Sequence, residues 1–73
     1  MTSDQFNLLD VVALTADLVD KGLLRGQVGT IVEILKPGVF EIEFADNDGR
    51  TYATAAVAGE LLLRLRHQPE QAA

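Results

Sequence analysis

The stretch Lys36-Pro37-Gly38-Val39-Phe40-Glu41-Ile42-Glu43-Phe44 decides how this chain folds. Proline presets φ for the second position of a tight turn, and glycine supplies the positive φ of the third. Residues 36–38 therefore predict a hairpin turn. Residues 39–44 then alternate strictly, with Phe40, Ile42 and Phe44 on one face and Glu41 and Glu43 on the other. A strand of this kind turns one face to a core and the other to water or a partner. On the near side of the turn, the β-branched run Thr30-Ile31-Val32-Glu33-Ile34-Leu35 reads as the preceding strand. On the far side, Asp46-Asn47-Asp48-Gly49 is rich in residues that tolerate the left-handed region, and it predicts a second turn into a fourth strand across residues 50–57.

Working outward, the apolar residues 9–14 predict a first strand. Residues 15–25 contain Asp17, Asp20 and Gly22 and read as a loop with one helical turn capped by Thr15. Gly26 and Gly29 flank Val28 and mark a bulge, a bend or a close backbone approach. Residues 53–65 are ambiguous, because alanine and leucine favour helix, whereas Gly59 weakens a helix by about 1 kcal/mol relative to alanine. The preferred reading ends the fourth strand near Val57, turns at residues 58–61, and adds a short strand at 62–65. Five short strands with curving glycines describe a small barrel, which leaves little exposed edge. Its core is expected to contain Phe40, Ile42 and Phe44, with Val12, Leu14, Val28 and Val32 as their partners. Residues 1–8 are expected to be a loose N-terminal segment, 9–66 the barrel, and 67–73, with Pro69, a disordered tail.

The chain has 73 residues, no cysteine and 48% hydrophobic residues. That is enough for one domain, and a domain of this size buries only about 60% of its unfolded surface. Neither a disulfide nor a thiolate metal site is available to reinforce it. No run of about 18 apolar residues exists to span a membrane. Residues 1–7 lack the basic and apolar regions of a signal peptide, so a cytoplasmic location is expected. The net charge of −5 argues against a general nucleic-acid binder, whose affinity rests on lysine and arginine displacing counterions. It argues equally against an anionic membrane surface, and it permits a basic protein partner.

Three segments carry a resemblance. Asp10-Val11-Val12-Ala13-Leu14 is followed by Gly22-Leu23-x-Arg25-Gly26-Gln27-Val28-Gly29-Thr30-Ile31-Val32-Glu33, and then by Phe40-Glu41-x-Glu43-Phe44-x-Asp46-x-x-Gly49-x-Thr51. In order and spacing they closely resemble a bacterial family known as domain of unknown function 4926, over roughly residues 9–65. Where that family often has proline in the first loop, this chain has Val19. The resemblance implies a mostly β, five-stranded SH3-like barrel with a short helical turn. Such a barrel is distantly similar to the small barrel of nitrile hydratase β subunits and to KOW-type segments. It implies no established activity. Members are stand-alone chains, some of them suspected to belong to toxin–antitoxin or toxin–immunity gene pairs.

The residues themselves support no catalytic, metal or cofactor site. The one histidine, His67, and Ser3 both fall in the ends of the chain. Glu41 and Glu43 lie side by side on one strand face, not across a cleft as two catalytic carboxylates do in a glycosidase. Asp46-Asn47-Asp48-Gly49 does not extend to a calcium loop, because the position of the bidentate glutamate would be Ala55. Gly26-Gln27-Val28-Gly29 lacks the lysine and following helix of a phosphate loop. What remains is an interaction surface. Leu18, Val19, Leu23 and Leu24 crowd the first loop, and Leu61, Leu62 and Leu63 cannot all point into one small barrel. With Glu41, Glu43 and Tyr52, the residues Leu18, Val19, Leu23, Leu24 and Leu62 are the candidate partner contacts. The expected function is a non-catalytic protein-binding module, self-associating or the small acidic member of a protein pair. The alternatives are an accessory domain of an enzyme complex and, less favoured, a KOW-like nucleic-acid module.

Overall fold

The computed structural model describes residues 6–65; residues 1–5 of the expected loose segment 1–8, and the expected tail 67–73 with His67, lie outside them. The chain forms β1 (Val11–Leu14), a 3-10 turn (Val19–Lys21), β2 (Val28–Lys36), β3 (Val39–Ala45), β4 (Thr51–Ala58), a second 3-10 turn (Gly59–Leu61) and β5 (Leu62–Arg64). All pairings are antiparallel, in the order β4-β3-β2-β1-β5. The mostly β reading holds, and no α-helix occupies residues 53–65, where the 3-10 turn Gly59–Leu61 joins two strands. The described sheet is open, with β4 and β5 as its two edges.

The hairpin turn forms as its chemistry requires: Gly38 has φ 81° and Gly49, closing the β3–β4 turn, has φ 82°. In that second turn the Asp46 carboxylate accepts from the backbone N–H groups of Asp48 (2.9 Å) and Arg50 (3.0 Å). Asp46 is thus committed to its own turn.

The first strand is shorter than expected. Leu9 sits in a turn at φ 73°, held by Asn7 N–H donating to the Asp10 carboxylate at 2.8 Å, and regular pairing begins at Val11. The first 3-10 turn also departs from expectation. It starts at Val19, not beside Thr15, and no side chain caps it. It is closed by the reciprocal backbone pair Leu18–Leu23, at 2.8 and 3.1 Å, which pins the loop back on itself.

One apolar cluster unites the sheet: Val12 and Leu14 of β1, Ile31 of β2, Phe40, Ile42 and Phe44 of β3, Ala55 and Val57 of β4, Leu62 of β5, and Leu23 from the first loop. The alternating face of β3 is the core face, as expected. Val28 and Val32 correct the expectation, being 43% and 40% exposed. Residues directly opposed on antiparallel strands share a face. Gly29 opposes Phe44 and Ile31 opposes Ile42, so the inward positions of β2 are 29 and 31, and Val28 points out. Val32 is an inserted residue: the register shifts between Ile31 and Glu33, and again between Ile34 and Lys36. Such bulges change which face the following residues present. Without the first, Glu33 would share the face of Ile31. With it, Glu33 opposes Glu41 on the outer face and Ile34 opposes Phe40 on the core face.

Of the glycines, Gly29 is the most tightly enclosed. A Cβ built there would lie 2.6 Å from Ile42 Cγ2, 2.8 Å from the Glu43 carbonyl oxygen and 2.9 Å from Phe44 Cδ1. The glycine lets β3 side chains close over β2, so that of the bulge, bend or close approach expected here it is the close approach that occurs.

Candidate interaction surface

β1 and β5 cover only part of the long β2–β3–β4 sheet. β1 pairs with β2 at Thr30, Gly29 and Val28, and backbone hydrogen bonds of Leu9 and Asp10 carry the contact as far as Ile31. Beyond that point no strand of the described residues flanks the β2 side of the hairpin. An open groove of about 660 Å³ results, lined by Phe6, Ile34, Gly38, Phe40, Ala58, Gly59 and Glu60. Ile34 occupies a core-facing register opposite Phe40, yet it remains 48% exposed. Phe6 packs its ring edge-on to Phe40, with centroids 5.4 Å apart and planes at 65°. The groove floor is held by Gly59 N–H donating to the Gly38 carbonyl at 2.8 Å, which ties the second 3-10 turn to the hairpin tip. A Cβ at position 59 would meet the rings of Phe40 and Phe6 at 3.1 and 3.2 Å, so this glycine keeps the groove clear.

The opposite face of the sheet is acidic. Glu33 and Glu41 are directly opposed, and Glu43 follows two positions along β3, opposite Thr30 and Thr54. Like charges placed directly across a ladder repel. Among the described residues the ion pair is Arg64–Asp10, at 3.7 Å, and no cation of the described residues lies within ion-pair distance of these three glutamates.

The expected contact residues separate into distinct places. Val19 and Leu24 are exposed on the first loop. Leu23 and Leu62 are corrected: at 2% and 7% exposure they belong to the core, Leu23 because the Leu18–Leu23 bridge turns it inward and Leu62 because it opposes Leu14. Leu18 packs partly against the same cluster. The exposed member of the leucine run is Leu63, which opposes Ala13. Glu41 and Glu43 lie on the outer sheet face, half-buried. Tyr52 is the inserted residue at the β3–β4 register shift. It is exposed, accepts a hydrogen bond from Gln27 Nε2 at 2.8 Å, and lies against Phe44 at 6.4 Å between centroids. Tyr52 thus joins the end of the first loop to the start of β4.

Sequence reasoning missed the groove. Its signal was present in Ile34-Leu35, two adjacent apolar residues that strict alternation cannot both bury, and in Phe6, a lone aromatic in a polar segment. Among the described residues, no three histidine, cysteine, aspartate or glutamate side chains gather in a way that would hold a metal ion, and no helix is long and apolar enough to cross a membrane.

The family described as Domain of unknown function (DUF4926) matches this chain over residues 8–63, and the chain belongs to that family. No curated protein matches it, and no solved structure does.

Proposed function

We propose that this member of the DUF4926 family is a non-catalytic protein-binding module built on an SH3-like barrel, working by self-association or as the small acidic member of a protein pair. The strand order, with a turn-rich loop between β1 and β2 and a 3-10 turn between β4 and β5, supports the SH3-like reading. The observation that carries the function is the groove: Ile34 is placed in core register but left half-exposed, over a floor of Phe40 and Phe6. Apolar surface of this kind gains free energy when a partner removes it from water, at roughly 25 cal/mol per Å². The unpaired glutamates of the outer face add a preference in charge. They attract a basic partner and speed its encounter, and they disfavour nucleic acid. An antitoxin or immunity role is one version of this reading, since a small acidic chain can neutralise a basic protein by covering its working surface.

The test is a pull-down from the native host with the tagged full chain, read by mass spectrometry, in parallel with Ile34→Glu. The expected result is a protein partner, either a basic chain or a further copy of this one, whose recovery falls severalfold with the variant. A metal-enzyme subunit in the eluate would support an accessory-domain role instead. Retention of nothing above background by the wild-type chain, together with a strictly monomeric state in solution, would reject the module reading.

A further inference from the structure

The two edges of the sheet are protected very differently. β5 is three residues long and ends in Arg64. β4 is eight residues long, Thr-Tyr-Ala-Thr-Ala-Ala-Val-Ala, with no charge and no proline. Its ladder partner is β3 alone. Apart from that ladder, no backbone N–H or C=O of residues 51–58 is hydrogen-bonded among the described residues. In an antiparallel strand, alternate residues direct both backbone groups to the side away from the partner. β4 therefore presents a row of unsatisfied donors and acceptors, and edges of this length are ordinarily blunted by lysine, proline or bulges. Its one bulge, at Tyr52, sits at the start and leaves residues 53–58 in regular register.

We propose that β4 is an assembly edge, which pairs antiparallel with β4 of a second copy of this chain about a two-fold axis. The proposal deepens the protein-binding reading above and rests on it. Charge selects the occupant. β4 offers no charge to attract a charged strand, and an uncharged alanine–threonine strand is matched by another like it. The glutamates of the outer face are set back from this edge. Glu41 and Glu43 sit on β3, one strand in from the edge, so β3 and its copy would be separated by three strand spacings, about 14 Å. That exceeds the screening length of about 8 Å at physiological ionic strength. The outward side chains of the edge, Thr54 and Ala56, are small and exposed, and they leave room for a neighbouring backbone. An isologous pairing closes on itself and makes a dimer, not a fibre.

The test is sedimentation equilibrium of the full chain at micromolar concentrations, with Thr54→Lys/Ala56→Lys as the decisive variant. Thr54 and Ala56 lie opposite Glu43 and Glu41, so the new lysines face carboxylates within the monomer while blunting its edge. Circular dichroism of this variant, and of Thr54→Lys alone, checks that the fold is kept. The expected result is a wild-type dimer whose association weakens at least tenfold in the folded double variant. Association that survives the double variant but is lost in Ile34→Glu overturns the edge proposal and keeps the module reading. A monomeric wild type that captures a basic host protein does the same. A monomeric wild type that captures nothing overturns both.

Discussion

The half of the β2–β3 hairpin that β1 covers and the half beyond it are built from similar residues and end in different states. In the covered half, Ile31, Ile42 and Phe44 are wholly buried. In the outer half, Ile34 holds the same core-facing register against Phe40 and is half exposed. Side-chain chemistry is nearly constant between Ile31 and Ile34, so the difference comes from what lies above them. Backbone pairing from the β1 side ends at Ile31, and among the described residues Phe6 and the second 3-10 turn line the far end. Register decides which face a residue joins, and the length of the covering strand decides whether that face becomes interior.

Truncating one aromatic in the covered half breaks this comparison most forcefully. Phe44→Ala should cost about 3–5 kcal/mol, a large share of a small domain's total. Ile34→Ala, in the open half, should cost about 1 kcal/mol or less, because half of its surface already meets water. Urea denaturation of the two variants measures the gap directly. Equal losses would mean that the groove is as well packed as the covered core. Gly29→Ala comes next. Its added methyl would press on the Glu43 carbonyl as well as on Ile42 and Phe44, and overpacking of this sort costs about 1–3 kcal/mol. A lowered melting temperature is expected in thermal unfolding, and an unchanged one would show that β3 yields freely over β2.

These contrasts also mark what the sequence made legible. Strand three could be read completely, because Phe40-Glu41-Ile42-Glu43-Phe44 alternates without interruption and both flanking turns carry the glycines their geometry needs. Strand two could be located but not phased. Val28, Thr30, Val32 and Ile34 form one apparent stripe by period two, while the fold uses 29 and 31 and then shifts register to keep Glu33 out of the core. A bulge obeys no period, and its position follows from pairing with β3. The inward turn of Leu23 is equally non-local, since it depends on the bridge to Leu18. The groove escaped for the same reason: an open core end depends on where another strand stops. The acidic outer face was visible at Glu33, Glu41 and Glu43, but Glu33 reaches it through the bulge after Ile31 and not through the simple alternation that would put Val28 and Val32 inside.

A smaller effect sharpens the comparison on the outer face. Glu41 opposes Glu33 across the ladder, so Glu41→Lys exchanges a repulsive pair for an attractive one. Stability should rise by about 0.2–1 kcal/mol, and the gain should shrink at high salt. Denaturation midpoints at low and high ionic strength check both signs. If partner capture also falls, the acidic face contributes to binding as well as to solubility.

The most direct measurement is residue-resolved amide hydrogen exchange on the full chain, compared between dilute and concentrated samples. Amides exchange according to the openings that expose them, so each half of the sheet and each edge reports separately. The account predicts slow exchange at both concentrations for Ile31, Ile42 and Phe44, with added protection at high concentration along β4. Exchange that is independent of concentration everywhere, or protection gained in the covered half while β4 stays unchanged, would contradict it.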